Sequence, residues 1–258
     1  MYKFAANLSM LFTEYDFMLR FEAAAKSGFE GVEYLFPYDY PSSDIANELK
    51  KHKLTQVLFN LPSGNWSAGE RGIACHPDRI DEFRSGVAQA IEYAHALDCK
   101  KVNCLAGKKP ATVSDEDAHI TLVENLRFAA EELKAAGIEL VFEAINTIDI
   151  PGFFVNSTEQ AKKIQIDVDS SNLTLQYDIY HMQIMEGDLA RTIENNLPII
   201  GHLQLADNPG RNEPGTGEIN YSFLLKYLES IGYQGWIGCE YNPKTNTLDG
   251  LDWIKKYV

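Results

Sequence analysis

Four oxygen-bearing side chains stand at or just after the ends of strand-length apolar runs in the second half of this chain: Glu143, Asp178, Gln204 and Glu240. A lone carboxylate after a strand is more often a helix cap or a surface charge, but its recurrence in four successive runs favours a shared site. Three buried carboxylates repel one another unless a cation neutralises them. Carboxylate and amide oxygens suit Mg²⁺ or Mn²⁺ better than Zn²⁺. The pattern therefore predicts a site for one divalent metal ion.

Three basic residues could bind an anionic substrate near that site. Arg71, Lys108 and Arg211 all follow predicted strands, and arginine binds carboxylates through two parallel hydrogen bonds. We expect one or two of these residues to bind a substrate carboxylate. The alternative is that each pairs with a local acid, such as Glu70 or Glu213.

One histidine and two long loops complete the set of candidates. His181 lies just past Asp178, where it would be a hydrogen-bonding partner of the substrate or of a metal ligand. The loop 60–78 is rich in Gly and Pro and much longer than most connections, which is typical of a functional lid. The loop 207–218 is similar in composition. Both loops would lie over the same site.

The elements that must position these residues alternate along the chain. Strand-length runs rich in Val, Ile, Leu and aromatic residues occupy 3–7, 31–36, 54–59, 101–106, 139–144, 173–178, 199–205 and 235–240. Amphipathic segments typical of helices occupy 16–27, 43–52, 79–97, 115–136, 158–166, 188–196, 221–230 and 248–257.

Eight strand–helix units predict a closed (β/α)8 TIM barrel that forms a single domain over residues 1–258. Alternating strands and helices imply parallel pairing through right-handed crossovers, and about 250 residues is the usual length of such a barrel. A doubly wound open sheet is the alternative, but it usually has a glycine-rich turn after its first strand, whereas residues 7–12 read NLSMLF. Active sites of barrels lie at the carboxyl ends of the strands, where the four oxygen-bearing residues fall.

The composition limits the function classes. The net charge of −14 argues against nonspecific binding of nucleic acid, although local basic residues can still bind a small anion. No apolar run is long enough for a membrane span, and the first residues lack the apolar stretch of a signal peptide. The four cysteines form no CxxC pair, so we expect buried free thiols and a cytoplasmic location. Whether copies of the chain form a homo-oligomer is left open.

Six segments make the chain similar to a known family. They read NLSM at 7–10, LFPY at 35–38, GERGIA at 69–74, QYDIYHMQ at 176–183, EPGTGEIN at 213–220 and GCEY at 238–241. On these motifs the chain resembles the hydroxypyruvate isomerase family, within the xylose-isomerase-like barrel superfamily, over essentially its whole length.

The resemblance implies a metal-dependent isomerase. It implies that Glu143, Asp178, Gln204 and Glu240 bind the metal and that Glu143 and Glu240 are the catalytic acid–base pair. The implied reaction interconverts hydroxypyruvate and 2-hydroxy-3-oxopropanoate (tartronate semialdehyde) by proton transfer through an enediolate. The partner would be a small, carboxylated hydroxy-carbonyl compound. In the wider superfamily a His often stands where Gln204 stands, and this departure fits the hydroxypyruvate branch.

Other functions remain open. A 2-oxo-tetronate isomerase would use the same core residues on a four-carbon acid. A ketose 3-epimerase would act on uncharged sugars and need no carboxylate clamp. A DNA-repair endonuclease of the same superfamily would need several metal ions, many His ligands and a basic face, which six His and a net charge of −14 do not favour. A non-catalytic protein would bind its ligand without turnover.

Overall fold

Eight parallel strands close a barrel in the computed structural model, which describes residues 2–257. The strands pair in chain order, and the eighth pairs with the first. They are β1 (Lys3–Asn7), β2 (Gly31–Glu33), β3 (Thr55–Asn60), β4 (Lys101–Cys104), β5 (Glu139–Glu143), β6 (Leu173–Asp178), β7 (Ile200–Leu205) and β8 (Trp236–Cys239). The predicted (β/α)8 barrel is confirmed, while the assignment of a single domain stays a prediction.

Helices surround the barrel. They are α1 (Phe17–Lys26), α2 (Ser42–His52), α3 (Ile80–Ala96), α4 (Asp115–Ala135), α5 (Thr158–Val168), α6 (Ile179–Met185), α7 (Leu189–Asn196) and α8 (Tyr221–Ser230). The longest, α4, begins where Ser114 accepts a hydrogen bond from the Asp117 backbone N–H, and acidic residues occupy its first turn. Its buried face includes Leu122, Leu126 and Leu133, at spacings of four and seven residues.

Two predictions about helices were wrong. Helix α6 directly follows β6 and has no counterpart among the predicted helices. It forms there because the Asp178 side chain accepts from the backbone N–H groups of Tyr180 and His181 and so caps its first turn. The predicted helix 248–257 is instead two short 3-10 turns, Asp249–Leu251 and Ile254–Lys256. Edge-to-face packing of Trp253 on Phe4, with centroids 5.2 Å apart, holds this segment against the barrel.

Strand ends also differ from the prediction, and one difference changes the site. Strand β2 ends at Glu33 instead of position 36, so its last residue is a carboxylate at the carboxyl end of the barrel. The register between β2 and β3 shifts between Val32 and Glu33, and that between β6 and β7 shifts between Leu175 and Gln176. Bulges of this kind re-aim side chains and are common beside active sites.

The buried carboxylates and most of the buried amides of the strands gather at their carboxyl ends, although Gln56 near the start of β3 is also buried. The four cysteines are buried and free, as predicted. Within residues 2–257, no helix is both long and apolar enough to cross a membrane. The cytoplasmic location stays a prediction.

Candidate active site

The four oxygen-bearing residues singled out by the sequence converge at one end of the barrel. Glu143, Asp178 and Gln204 lie at or next to the ends of β5, β6 and β7, Glu240 follows β8, and all four are buried. Asp178 and Gln204 are direct partners across the β6–β7 ladder. The Gln204 amide nitrogen donates to the Glu240 carboxylate at 2.6 Å. Four consecutive strands thus deliver polar groups to a single point.

A cavity of about 510 Å³ opens above these groups. Its walls include Glu143 and Glu240 together with three of the four residues predicted to bind the substrate, Arg71, His181 and Arg211. The volume is sufficient for an acid of three or four carbons with several waters, given that a water occupies about 30 Å³.

Lys108 is the predicted substrate-binding residue that does not belong to this cavity lining. It lies on the β4–α4 connection, where it forms an isolated bridge with Phe153. Its backbone carbonyl accepts a hydrogen bond from the His76 imidazole at 2.8 Å. In the structure Lys108 therefore supports the loops at the entrance of the cavity through its backbone atoms.

Arg211 reaches back from the β7–α8 loop into the carboxylate cluster. Its terminal nitrogen donates to Glu240 at 2.7 Å and lies 3.7 Å from Asp178. Burial opposes the charged form, but the attraction of Glu240, followed by that of Asp178, raises the pKa of Arg211. Its Nε is buried and has no hydrogen-bond partner among the described residues. Arg211 can therefore donate one further hydrogen bond into the site.

Asp207 holds the loop that carries Arg211. One oxygen of its carboxylate accepts from the backbone N–H groups of Gly215 and Gly217, and the other accepts from that of Ile219. The backbone N–H of Asn208 donates to it as well, so a buried carboxylate with four backbone donors fixes the path of a loop that has no regular secondary structure. The position of the guanidinium is thereby set before any substrate binds.

The protonation pattern of His181 follows from its neighbour Asn146. The Asn146 amide oxygen accepts from the backbone N–H groups of Ile148 and Asp149, so its nitrogen faces His181 Nδ1 at 2.7 Å. Because that nitrogen donates at the shorter distance, Nδ1 accepts and the ring proton is placed on Nε2, which lies 3.6 Å from Asp178 and 3.8 Å from Glu143. The Arg211 nitrogen, 3.4 Å from Nε2, is then in contact with the ring without a hydrogen bond. Burial, followed by the charge of Arg211, lowers the pKa of His181 well below its usual value. The imidazole is therefore neutral and presents an N–H to the cavity.

Three carboxyl groups in this cluster hold protons more tightly than usual. Burial, then the charges of Glu240 and Asp178, raises the pKa of Glu143 well above its ordinary value. Burial raises the pKa of Asp178 as well, against the effect of Arg211. For Glu240, burial outweighs Arg211 and raises the pKa to about 8. Charges held this close in a low dielectric favour either protonation or a neutralising cation.

The donor set suits a divalent metal. Glu143, Asp178 and His181 bring potential ligand atoms within 4.8 Å of one another. With the ring proton on Nε2, the histidine is a hydrogen-bond donor beside the site, and the two carboxylates are the candidate ligands. At that separation two carboxylates in a medium of effective dielectric constant about 20 repel by roughly 3 kcal/mol, which a cation would reverse. The Asp178 Oδ2 is buried without a hydrogen-bond partner in the described part of the chain. An orphaned carboxylate oxygen of this kind is an available metal ligand.

Sequence reasoning missed the buried residue Glu33. Its carboxylate accepts from Asn7, from Gln204 at 2.7 Å and from the His202 ring at 2.8 Å. Asn7 and Gln204 both donate to Glu240 as well, so they bridge the two carboxylates. The sequence signal was weak, because Glu33 stands inside the apolar run 31–36 and the predicted strand ran on to position 36.

Space for the Glu33 carboxylate depends on Gly238 in β8. A side-chain carbon at position 238 would fall on the Glu33 oxygens, closer than non-bonded atoms approach. A side chain at 238 would therefore displace the Glu33 carboxylate from its hydrogen bonds to Asn7, Gln204 and His202.

The comparisons with known proteins agree with this geometry. A family model described as a xylose isomerase-like TIM barrel matches residues 21–257. The hydroxypyruvate isomerase of Escherichia coli (strain K12) is 58% identical over 257 residues, which is 100% of both chains. The chain belongs to the xylose isomerase-like TIM barrel family.

Two further members of this xylose isomerase-like family extend the comparison. The 2-oxo-tetronate isomerase of Cupriavidus necator is 43% identical over 256 residues, covering 99% of this chain and 98% of that protein. A solved structure described as an AP endonuclease, family 2, from Brucella melitensis is 47% identical, with a TM-score of 0.97 and coverage of 100% and 99%. The resemblance inferred from the motifs is confirmed, and this family member is an enzyme of the isomerase class.

Proposed function

We propose that this family member interconverts hydroxypyruvate and 2-hydroxy-3-oxopropanoate by moving a proton between two adjacent carbons. The observation that carries the proposal is the pair of buried glutamates, Glu143 and Glu240, which face one cavity and whose carboxyl pKa values are raised. A pKa of about 8 for Glu240 means that both protonation states are accessible near neutral pH. Groups that must take up and give back a proton work best under this condition.

The reaction needs two proton transfers on one planar intermediate. One glutamate removes a proton from C3 of hydroxypyruvate, and the electron pair forms the enediolate. The other glutamate supplies a proton to C2. The C3 hydroxyl loses its proton to the C2 oxygen and becomes the aldehyde, so the product has the same atoms as the substrate. Which of Glu143 and Glu240 removes the first proton is left open in this proposal.

Two neighbouring groups would support the enediolate. His181 presents its Nε2–H to the cavity, and Arg211 has an Nε–H without a protein partner in the described residues. Each would donate to a substrate oxygen on which negative charge develops. Because both side chains are fixed by their own hydrogen bonds, little reorganisation is needed when that charge appears.

A divalent metal, Mg²⁺ or Mn²⁺, would be held by Glu143, Asp178 and Glu240, with Gln204 as the fourth proposed ligand. When bound, it would polarise the substrate carbonyl and so acidify the neighbouring C–H. Asp178 has the best-supported part in this shell because its Oδ2 accepts no hydrogen bond within residues 2–257, with the Arg211 nitrogen 3.7 Å away. Gln204 has the weakest support as a metal ligand, since its amide oxygen accepts from Gln176 at 2.7 Å while its nitrogen faces Glu240.

Two relatives' names suggest other substrates. A 2-oxo-tetronate isomerase performs the same carbonyl shift on a longer acid, and the cavity of about 510 Å³ has room for the additional carbon. The endonuclease name attached to the Brucella structure fits less well, because the net charge of −14 repels a phosphate backbone. We therefore retain 2-oxo-tetronate as the second candidate.

The test follows the products by proton NMR. The purified protein is incubated in D₂O with hydroxypyruvate or 2-oxo-tetronate, with Mg²⁺ or Mn²⁺ and after chelation. Preferred turnover of hydroxypyruvate, with deuterium at C2 of the product, is the expected result. Turnover of neither acid, together with epimerisation of a free ketose, would contradict the proposal.

A further inference from the structure

We infer that Arg71 binds the substrate's carboxylate and thereby makes the enzyme prefer hydroxy-carbonyl acids to uncharged sugars. This inference rests on the proposed function, because it names the group that recognises the anionic end of the same substrate. It resolves the choice among the three basic residues that the sequence left open.

The Arg71 guanidinium has an unused binding edge. One terminal nitrogen donates to the backbone carbonyls of Trp66 and Glu70, at 3.0 and 2.7 Å. Within the described residues, its other terminal nitrogen and Nε make no hydrogen bond, and the side chain forms no ion pair. The planar group lies over the Trp66 indole at 4.0 Å, and both residues line the cavity. An arginine in this position presents the two-pronged edge that a carboxylate fits.

The acid next to Arg71 in the sequence is engaged elsewhere. Glu70 accepts from the Arg79 guanidinium with one oxygen and from the Asn65 backbone N–H with the other. Arg79 is also paired with Glu82, which holds this ion-pair network on the outer side of the loop. The charge of Arg71 is therefore left without a compensating carboxylate from its own loop.

The loop that carries Arg71 is packed closely against its neighbour. Gly72 has a positive φ, and a side-chain carbon there would meet the backbone carbonyl of Leu105. Gly107 has a positive φ as well, and a side-chain carbon there would meet the backbone carbonyl of Gly72. The indole of Trp66 packs edge-to-face on Phe36, with centroids 5.0 Å apart. These contacts hold Arg71 at the cavity wall, so binding a ligand there needs little ordering of the loop.

The other basic candidates do not offer the same edge. Arg211 already faces Glu240 and Asp178, so a substrate carboxylate beside it would add a third negative charge to one cation. Lys108 is not part of the cavity lining within the described residues. Apart from the two arginines the charged lining is acidic, and Arg211 is already paired with Glu240 and Asp178, so Arg71 is the cation of the lining that is open to an incoming anion.

The position of Arg71 also separates recognition from chemistry. It follows β3, whereas the proposed acid–base pair follows β5 and β8 and Arg211 follows β7, the strand opposite β3 in the ring. A short acid can then place its carboxylate under the β3 loop and its hydroxy-carbonyl carbons over the glutamates. Recognition and proton transfer act on different ends of the molecule.

A matched pair of substrates tests this directly. Dihydroxyacetone differs from hydroxypyruvate by CH₂OH in place of the carboxylate, and its isomerisation to glyceraldehyde moves a proton between the same two kinds of carbon. For Arg71→Gln we expect kcat/KM for hydroxypyruvate to fall by about a hundredfold, the typical effect of losing a bidentate charged pair, with kcat/KM for dihydroxyacetone unchanged. Arg71→Lys should retain only part of the preference, because an ammonium lacks the planar fork.

Controls keep the result interpretable. Arg84→Gln removes another arginine that stacks on an aromatic ring, Phe128 at 4.8 Å, but outside the cavity, and it should leave the selectivity unchanged. Binding of D-glycerate, measured by calorimetry, gives a readout that does not need turnover and should weaken by a similar factor in Arg71→Gln.

Two outcomes separate the inference from the proposed function. If Arg71→Gln keeps both the wild-type preference for hydroxypyruvate and the wild-type affinity for glycerate, the inference is overturned while the isomerase proposal stands. If the wild-type protein turns over neither hydroxypyruvate nor 2-oxo-tetronate and does not bind glycerate, the proposed function fails and this inference fails with it.

Discussion

Arg71 and Arg211 occupy loops that follow opposite strands of one barrel, yet their surroundings differ in kind. Arg211 is packed among the carboxylates and donates to Glu240 at 2.7 Å. Arg71 lies on an indole, and its only protein acceptors in the described chain are two backbone carbonyls. A guanidinium surrounded by carboxylates can organise the proposed acid–base pair, whereas one kept away from them can bind a carboxylate from outside. The β5–β8 side of the cavity, with Glu143, Glu240 and Arg211, is its chemical half, and the β3 loop, with Arg71, is its recognition half.

The largest effect should come from the chemical half. Glu143→Gln or Glu240→Gln keeps the shape of the side chain but removes a group that exchanges protons, so kcat should fall by about a thousandfold or more. Because recognition of the carboxylate lies elsewhere, the glycerate affinity should change much less. Near-normal turnover in both variants would contradict the acid–base assignment.

Arg211→Gln sharpens the comparison of the two arginines. We expect kcat/KM to fall by roughly a hundredfold for both hydroxypyruvate and dihydroxyacetone, because the lost groups support Glu240 and the enediolate instead of the carboxylate. The ratio of the two values should therefore stay at the wild-type level, unlike in Arg71→Gln. A collapse of that ratio would assign recognition to Arg211. Circular dichroism checks that the variant is folded, since it leaves buried carboxylates unpaired.

Asn146→Ala should have a smaller effect in the chemical half. Without the amide donor, His181 Nδ1 has no partner that fixes its tautomer, and we expect kcat to fall by about tenfold. Nitrogen-15 NMR of the His181 ring gives a second readout. In the wild-type protein the proton should reside on Nε2, and in the variant the two tautomers should mix. A wild-type ring protonated on Nδ1 would contradict the assignment.

The smallest predicted effect concerns the stability of the metal-free protein. The pKa of Glu240 is about 8 when folded and close to 4.5 when unfolded, and Glu143 and Asp178 are shifted in the same direction. Between pH 4.5 and about 8 the folded state therefore binds more protons than the unfolded state. The stabilisation of the folded state by these protonated carboxyl groups is present at low pH and is lost as the pH rises from about 4.5 towards 8. We expect the melting temperature to decline by a few degrees across that window.

Added Mg²⁺ or Mn²⁺ should reverse this decline. A cation binds the deprotonated carboxylates, so its stabilising effect should grow as the pH rises. Scanning calorimetry with and without metal measures both trends. A Tm that does not respond to metal at pH 8 would argue against a metal site among these residues.

Much of the architecture could be predicted because it depends on patterns that repeat. Alternating apolar runs and amphipathic segments specified the barrel, and the rule that sites lie at strand carboxyl ends brought Glu143, Asp178, Gln204 and Glu240 together. The predictions that were wrong concerned features that depend on single contacts. Helix α6 begins because one carboxylate caps it, and Glu33 was hidden by a three-residue error in the end of β2.

The roles of the basic residues could not be ranked from the sequence for a related reason. Whether an arginine is free depends on where its neighbouring acid points, and spacing does not reveal that. Glu70 is adjacent to Arg71 but bonds to Arg79, while Arg211 pairs with the distant Glu240 instead of Glu213. Lys108 has the right position in the chain but its side chain does not line the cavity.

The contact between Gly238 and Glu33 has a consequence for the history of the family. The two positions lie far apart in the chain, yet a methyl group at 238 has no room while a carboxylate stands at 33. Position 238 can gain a side chain only if the Glu33 carboxylate moves or is lost, whereas loss of the acid at 33 alone leaves Gly238 without a clash. A sequence with a larger residue at 238 should also have lost the acid at 33, and with it the pair of bridges that reach Glu240.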